Sequence, residues 1–598
     1  MLELQQSRPS TAAAQEKRNR RGNFVVLALA VMLIAAGALM PTGWYDALPL
    51  HPESTAATLK GVTLLQGCLI AEGIALLLVA LGKWNYKRLS PGELPPAPSP
   101  LQKQRTSFDI SVPIAMCGLI AITALAAILR IYKINTGLWL DEISPLEFYR
   151  HTSIFHLFTV YYSTNNHLLN TVLTKLATSA WGEEAWAVRL PAVTFGVLTI
   201  PLSYALARTA FSRKSSLAVA FLLAVSYHHI FFSQNARGYS SFLFFSMASS
   251  LFLVRGVSED RKSDWTFYVL SVVGSIAALL QSFTALTAHI IICAVVVANL
   301  ARQGKHWTPL AKRLVAVMVG TTLISIQLFS VIIPQALSVL HGNYQSASSG
   351  YAPLSMEFVN EVLKGLAAGA GPVVTVAAIP AACLFLFGCV SLFRRNWIMT
   401  LTMVMPEIVL AVFLLIKHYT VEPRFFLLAL PFAMLVAVAA IEDLTLIFTS
   451  LTRLPARAAD GLAALAVVAL VAISATMLPR YYQTPKQDYA KAIDYANSLR
   501  KPGSVLVPLY LAKEGFDFYG PRLGLKEGSD FYNVRTDDQW SRALAGRKPD
   551  QVIMVTTFKR ALHLDLPLLE ERLQNGWLVA KVFPGTIGDG DITVWKGK

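Results

Sequence analysis

The feature that most constrains this chain is a succession of apolar runs, about thirteen of them, each roughly 17 to 25 residues long and so able to cross ~30 Å of hydrocarbon as a helix. They lie near 24–40, 59–82, 112–130, 190–208, 216–233, 237–254, 266–281, 283–300, 314–333, 372–393, 398–416, 425–447 and 461–478. In lipid every backbone polar group must be satisfied within the segment, which leaves helices as the fold of such runs. Composition agrees: 15% of residues are charged, against roughly 25% in soluble proteins. The expected fold is a polytopic α-helical membrane protein with a small C-terminal α/β domain.

The net charge of +16 does not point to nucleic acid, because the basic residues come in short clusters between apolar runs, where they act as topology signals. Cys68, Cys117, Cys293, Cys383 and Cys389 all sit inside apolar runs with no close pair, which reads as helix packing rather than a metal site. The basic run Lys17 to Arg21 before the first apolar segment keeps the N-terminus cytoplasmic. Every connection on that side then carries basic residues, from Lys83, Lys87 and Arg88 to Arg453 and Arg457. The alternate connections and the C-terminal region fall on the outer face, in a protein expected in the bacterial inner (plasma) membrane.

Five regions follow in order: a cytoplasmic tail over 1–23, an N-terminal transmembrane hairpin over 24–82, a cytoplasmic linker over 83–111, a transmembrane region over 112–480 and an outer domain over 481–598. The linker contains Ser-Pro-Gly-Glu-Leu-Pro-Pro-Ala-Pro-Ser-Pro, an extended composition. In the outer domain, strands are expected at 504–509, 551–557, 577–583 and 592–595, with helices after Asp488 and over 566–575.

Chemistry concentrates on the outer rim. Asp141 and Glu142 are adjacent acids after the third run; they repel each other, and a low-dielectric rim tunes one of them for proton transfer. The plainer reading is a helix cap, with Pro145 starting an interfacial helix. Asn165, Asn166 and His167 follow an aromatic stretch; His167 could bind phosphate or shuttle a proton, or be an ordinary interfacial residue. Arg189 begins the next run and could snorkel to headgroups. The very short turn Gln234 to Tyr239 holds Arg237 where a guanidinium can grip phosphate, and Glu422-Pro423-Arg424 repeats the arrangement later. Glu72 and Glu407 are intramembrane acids, which are functional candidates or inter-helix ties.

Trp139-Leu140-Asp141-Glu142, Arg189-Leu190-Pro191, Gln234-Asn235-Ala236-Arg237-Gly238-Tyr239 and Pro423-Arg424-Phe425, in this order, resemble the integral-membrane GT-C glycosyltransferases. The resemblance is particularly to the broad group related to protein O-mannosyltransferases and to the lipid A aminoarabinose transferase. The resemblance covers about 112–450, and Gln487-Asp488-Tyr489 is similar to the start of some relatives' outer domain. Where relatives carry a His-Pro-Pro type motif, this chain has Asn166-His167-Leu168-Leu169.

The resemblance implies a donor sugar on a polyprenyl phosphate or diphosphate and an acceptor hydroxyl on a lipid, glycan or protein. It implies Asp141 as general base and inversion at the anomeric carbon. Glu142 would position the acceptor, tune Asp141 or help bind a cation. Asn166, His167, Arg189, Arg237, Tyr239 and Arg424 form the expected substrate-binding set, the arginines stabilising the leaving phosphate. An acid pair beside phosphate could recruit a divalent cation, a role the arginines could also fill. The rival reading is a transporter or flippase of lipid-linked sugars, against which stand the absence of an internal repeat and the position of the polar residues at one rim rather than the midplane.

Overall fold

The structure is a computed structural model that describes residues 11–41, 55–81, 109–259, 261–304, 308–344, 350–370 and 378–598. Most of the expected linker and the first ten residues lie outside the described residues. Nine helices among the described residues are long and apolar enough to cross a membrane, or ten if Arg213–Val225 and Tyr227–Ser233 form one bent span. The remaining three of the thirteen expected runs also fall on helices, Asn23–Leu39, Lys262–Ala278 and Ala378–Arg395. Lys262–Ala278 has only 17 residues, about 26 Å of rise, short of the ~30 Å core.

Polar side chains inside these helices bond back to their own backbone. Thr199 Oγ1 donates to the Phe195 carbonyl at 2.7 Å and Ser216 Oγ to that of Ser212 at 2.7 Å, so neither presents an unsatisfied hydroxyl to lipid. Glu407 accepts the Ala429 N–H at 3.0 Å and thus ties the start of a neighbouring helix. Cysteine packing holds for Cys68 and Cys293, which are buried; Cys117 and Cys383 are exposed on outward helix faces, where an apolar thiol also suits lipid.

The bent pair is the irregularity that matters for the site. The two halves turn by 60° at Ser226, whose backbone is extended. A helix end orphans its last carbonyls. Arg130, fully buried at the end of Val112–Ile131, donates to two of them, Ala224 O at 3.0 Å and Leu223 O at 3.5 Å, and also to the Ser233 hydroxyl. The second half therefore ends at a fixed place, and the Gln234–Tyr239 turn starts from it.

The C-terminal region folds as a four-stranded sheet, β1 (Val505–Pro508), β2 (Val552–Thr556), β3 (Trp577–Phe583) and β4 (Ile592–Gly597), in the order β1-β2-β4-β3. The β1–β2 pair is parallel and the other two pairs are antiparallel. β1 and β2 are buried at every residue, as their unbroken apolar runs require. Helices Ala512–Arg522, Asp537–Leu544 and Lys559–Asp565 were not legible as periodic segments, because each is short and mostly polar.

This sheet does not hang free of the bundle. Leu138, Ile143, Leu146 and Leu157, in the connection after Val112–Ile131, share one apolar cluster with Tyr489, Ile493, Leu506 and Phe516. Fully burying a side chain such as Ile143 contributes roughly 1.5 to 3 kcal/mol, so the loop and the terminal domain stabilise each other.

Candidate active site

Asp141 and Glu142 open the helix Leu140–Arg150, with Trp139 as its cap and Glu142 accepting the Trp139 N–H at 3.4 Å. The helix begins five residues before Pro145, rather than at it. Acids suit a helix's first turn, and Pro145 lies inside the helix, where the missing N–H costs one bond but does not stop it.

The two acids point to different environments. Glu142 has a fully buried side chain. Its Oε1 accepts from Arg189 Nε at 2.8 Å and from the Ala236 N–H at 2.8 Å, and its Oε2 accepts from Arg189 Nη2 at 2.6 Å. Lys486 Nζ lies 3.7 Å away. Burial alone would raise this carboxyl, but the Arg189 and Lys486 charges and these hydrogen bonds outweigh it and hold it at about 2. Arg189 itself is buried, and its remaining N–H groups donate to the carbonyls of Ile134 and Thr136, at 2.6 and 2.7 Å, and of Gly137 at 3.0 Å. Every donor on that guanidinium is engaged. Glu142 and Arg189, expected to meet substrate or a cation, instead clasp the segment 134–142 to the Ala236 turn.

Asp141 is also buried, its side chain 12% exposed, but its partners are different. Its Oδ2 pairs with Arg237 and lies 3.9 Å from Arg424 Nη1, while Oδ1 accepts from Asn165 Nδ2 at 3.4 Å. Arg424 sits on the short 3₁₀ turn Pro423–Phe426 and its side chain is 35% exposed, so it alone of these cations reaches well into solvent. The Arg237 guanidinium lies over the Tyr239 ring at 5.3 Å from the centroid, a cation–π contact that restricts its swing. Its Nε makes no hydrogen bond.

His167 caps the helix Leu168–Trp181 from outside and packs edge-on against Tyr239, with centroids 5.3 Å apart. The Gly238 N–H donates to its Nδ1 at 2.7 Å, which assigns the proton of the neutral ring to Nε2. That Nε2 stands 3.0 Å from Arg237 Nη2, so two donors face each other with no acceptor between them. Burial first, then the Arg237 and Arg424 charges, hold the ring's pKa well below its usual 6.5. Gly238 is required here: a Cβ would collide with the Ala278 carbonyl and the His167 ring.

Asn166 is turned away from this group. Its Nδ2 donates to Val160 O at 3.1 Å and its Oδ1 accepts from Thr171 at 3.4 Å, so Asn165, not Asn166, reaches Asp141. The acid pair also fails as a joint cation site, because Glu142's oxygens are filled by Arg189 and Ala236 while Asp141 is paired with Arg237. Among the described residues no group of three or more His, Cys, Asp or Glu side chains is arranged to hold a metal ion.

Three residues from the C-terminal region complete the site and were not read from the sequence as part of it. Lys486 is buried, donates to Gln234 O and stacks on the Phe231 ring at 5.3 Å; burial lowers its pKa from 10.5 to about 7 despite Glu142. Gln487 accepts the Leu140 N–H at 3.0 Å and donates to Thr557 at 2.9 Å. Tyr519 Oη accepts the Leu138 N–H at 2.6 Å. A lysine just after the last apolar helix reads as a snorkelling residue, so its burial is visible only in three dimensions.

Residues 168–333 match the model of the dolichyl-phosphate-mannose-protein mannosyltransferase family. The matched stretch contains Arg189, Arg237 and Tyr239 but not Asp141, Glu142, His167 or Arg424. Solved structures that align with this chain include ArnT from Cupriavidus metallidurans bound to undecaprenyl phosphate, 15% identical with a TM-score of 0.45 over 81% of this chain and 98% of that one. Its apo form is 15% identical with a TM-score of 0.46, over 80% and 97%. The Archaeoglobus fulgidus oligosaccharyltransferase in the apo form is 12% identical with a TM-score of 0.44, over 76% and 72%. No curated protein matches the sequence.

Proposed function

We propose that this GT-C glycosyltransferase moves a sugar from a polyprenyl-phosphate-linked donor to a hydroxyl on a lipid, glycan or protein acceptor, inverting the anomeric centre. The observation that carries the proposal is the facing pair of donors, Arg237 Nη2 and His167 Nε2–H, beside a carboxylate and a second, solvent-reaching arginine. Donors that lack an acceptor between them suit an oxyanion, and guanidinium groups bind phosphate with matched geometry. The family's own description names a dolichyl-phosphate-linked sugar.

In this mechanism Asp141 takes the proton of the acceptor hydroxyl as that oxygen forms its bond to the anomeric carbon. The bond from that carbon to the carrier phosphate breaks on the opposite face, and the phosphate leaves with the electron pair. Arg237 and Arg424 stabilise the charge that develops, and His167 donates through Nε2–H. Tyr239 orients Arg237, Glu142 and Arg189 hold the loop, and Asn166 holds the turn before His167. The positive charge comes from the arginines, and the donor set assigns no resident cation to this acid pair.

The same reading places the site on the outer face of the bacterial inner membrane, with the N-terminus cytoplasmic, 112–480 as the catalytic bundle and 481–598 as the outer domain; the basic inner connections support it. Transfer of labelled sugar from a panel of polyprenyl-phosphate sugars by wild type and Asp141→Asn, with donor binding followed in parallel, tests it. Loss of transfer with donor binding kept supports Asp141 as base. If no donor supports transfer while lipid-linked sugar crosses proteoliposomes equally with either protein, the chain is a transporter.

A further inference from the structure

The N-terminal hairpin, which lies outside the stretch that matches the family, creates a second polar feature at the same end of the bundle as Asp141. Its helix Thr55–Leu81 packs so closely on the start of Ile333–Tyr344 that a Cβ at Gly61 would strike Ser330 O and Val331. Beside this contact is a hollow of about 450 Å³ bounded by three separate helices. Lys60 reaches it from the hairpin, His341 from the last turn of Ile333–Tyr344, and Lys417 from the end of Trp397–Lys417. Ser338 also lines it, and among the described residues none of the lining side chains is acidic.

The rest of the wall is apolar. Pro334 and Leu337 form one side; Phe413 and Tyr419 form the other, packed edge to face with centroids 6.0 Å apart. Tyr419 is buried and belongs to an apolar cluster with Leu410 and Leu414, so that side is fixed. Leu337 is 52% exposed, which leaves the opposite side open to the surrounding hydrocarbon.

We propose that this hollow binds one anionic phospholipid, its phosphate held by Lys60, Lys417, His341 and Ser338 and an acyl chain lying against Leu337 and Phe413. Charge complementarity selects the occupant. A lone lysine at a membrane rim snorkels to any headgroup, but here two lysines from separate helices concentrate positive charge on one concavity where a single phosphate fits, and the His341 imidazole from a third adds a hydrogen-bonding ring. The apolar wall adds what a free anion could not use. Such a lipid would tie the extra hairpin to the helix Ile333–Tyr344, whose Gln335 already bonds the first outer loop through Thr159 O at 2.8 Å and the Tyr161 N–H at 3.0 Å.

The full chain, purified in a zwitterionic detergent and titrated with phosphatidylglycerol or phosphatidylcholine, is followed by native mass spectrometry and thermal unfolding. Wild type is expected to retain one phosphatidylglycerol and to be stabilised by it more than by phosphatidylcholine. Lys60→Gln/Lys417→Gln should weaken that binding roughly thirtyfold, at about fivefold per lysine, while Lys60→Arg/Lys417→Arg should keep it. Equal retention of phosphatidylglycerol by the glutamine variant overturns the proposal, as does equal stabilisation by the two lipids. Stabilisation by inorganic phosphate that matches phosphatidylglycerol overturns the lipid assignment in favour of a free anion.

Discussion

Replacing Glu142 by Gln tests the clasp beneath the site. The carboxylate is held at about 2 against an ordinary 4.5; at 1.36 kcal/mol per pH unit the difference of about 2.5 corresponds to about 3 kcal/mol of folding free energy. The sign follows from the depressed value: the contribution is complete above pH 4.5 and is lost as pH falls toward 2. Removing one partner of a buried pair also costs about 3 to 5 kcal/mol, because the other charge is left uncompensated, and here Arg189 and Lys486 would both remain. Glu142→Gln should therefore lower stability at pH 7 by about 3 kcal/mol, read as a shift of the denaturant midpoint in mixed micelles. Glu142→Gln/Arg189→Met removes both buried charges of the pair and should recover part of the loss. A single variant as stable as wild type, or a double variant whose loss equals the sum of the two singles, would refute the buried-pair account.

Other consequences are equally concrete. Lys486 is lowered from 10.5 to about 7; between those values the unfolded chain binds a proton that the folded one does not, so stability should rise with pH from about 7 to 10.5. Lys486→Met should flatten that rise, and an unchanged pH profile would show that the lysine is not buried. Gln487→Ala frees the Leu140 N–H next to Asp141 and should lower kcat about 10- to 100-fold with donor binding kept; equal activity would separate the C-terminal domain from the site. Gly238→Ala should abolish transfer in a folded protein through the collision with His167 and Ala278, checked by transfer assay alongside unfolding. His167, held well below 6.5, should give an NMR ring signal that does not titrate between pH 6 and 8.

The sequence by itself determined the membrane class, because a run of 20 apolar residues has few alternatives to a helix in lipid. It also located the strands of the C-terminal sheet, since 505–508, 552–556, 577–583 and 592–597 are apolar or alternating segments whose period is local. The rim residues Asp141, Arg237 and Arg424 were legible as chemistry because charge at a membrane boundary is costly wherever it falls. Tertiary structure alone decided how those charges are partnered. Two adjacent acids with the same local sequence signal part company in three dimensions: Glu142 turns into Arg189 and Lys486, residues 47 and 344 positions away, and Asp141 turns to Arg237, 96 positions away. Asn165 and Asn166 separate in the same way. Local pattern reports which backbone conformation a residue prefers, whereas a carboxylate's pKa and its role depend on which distant groups the fold brings within a few ångströms. The 60° break at Ser226, filled by Arg130 from another helix, sets where Arg237 stands, and no periodicity in either segment encodes it.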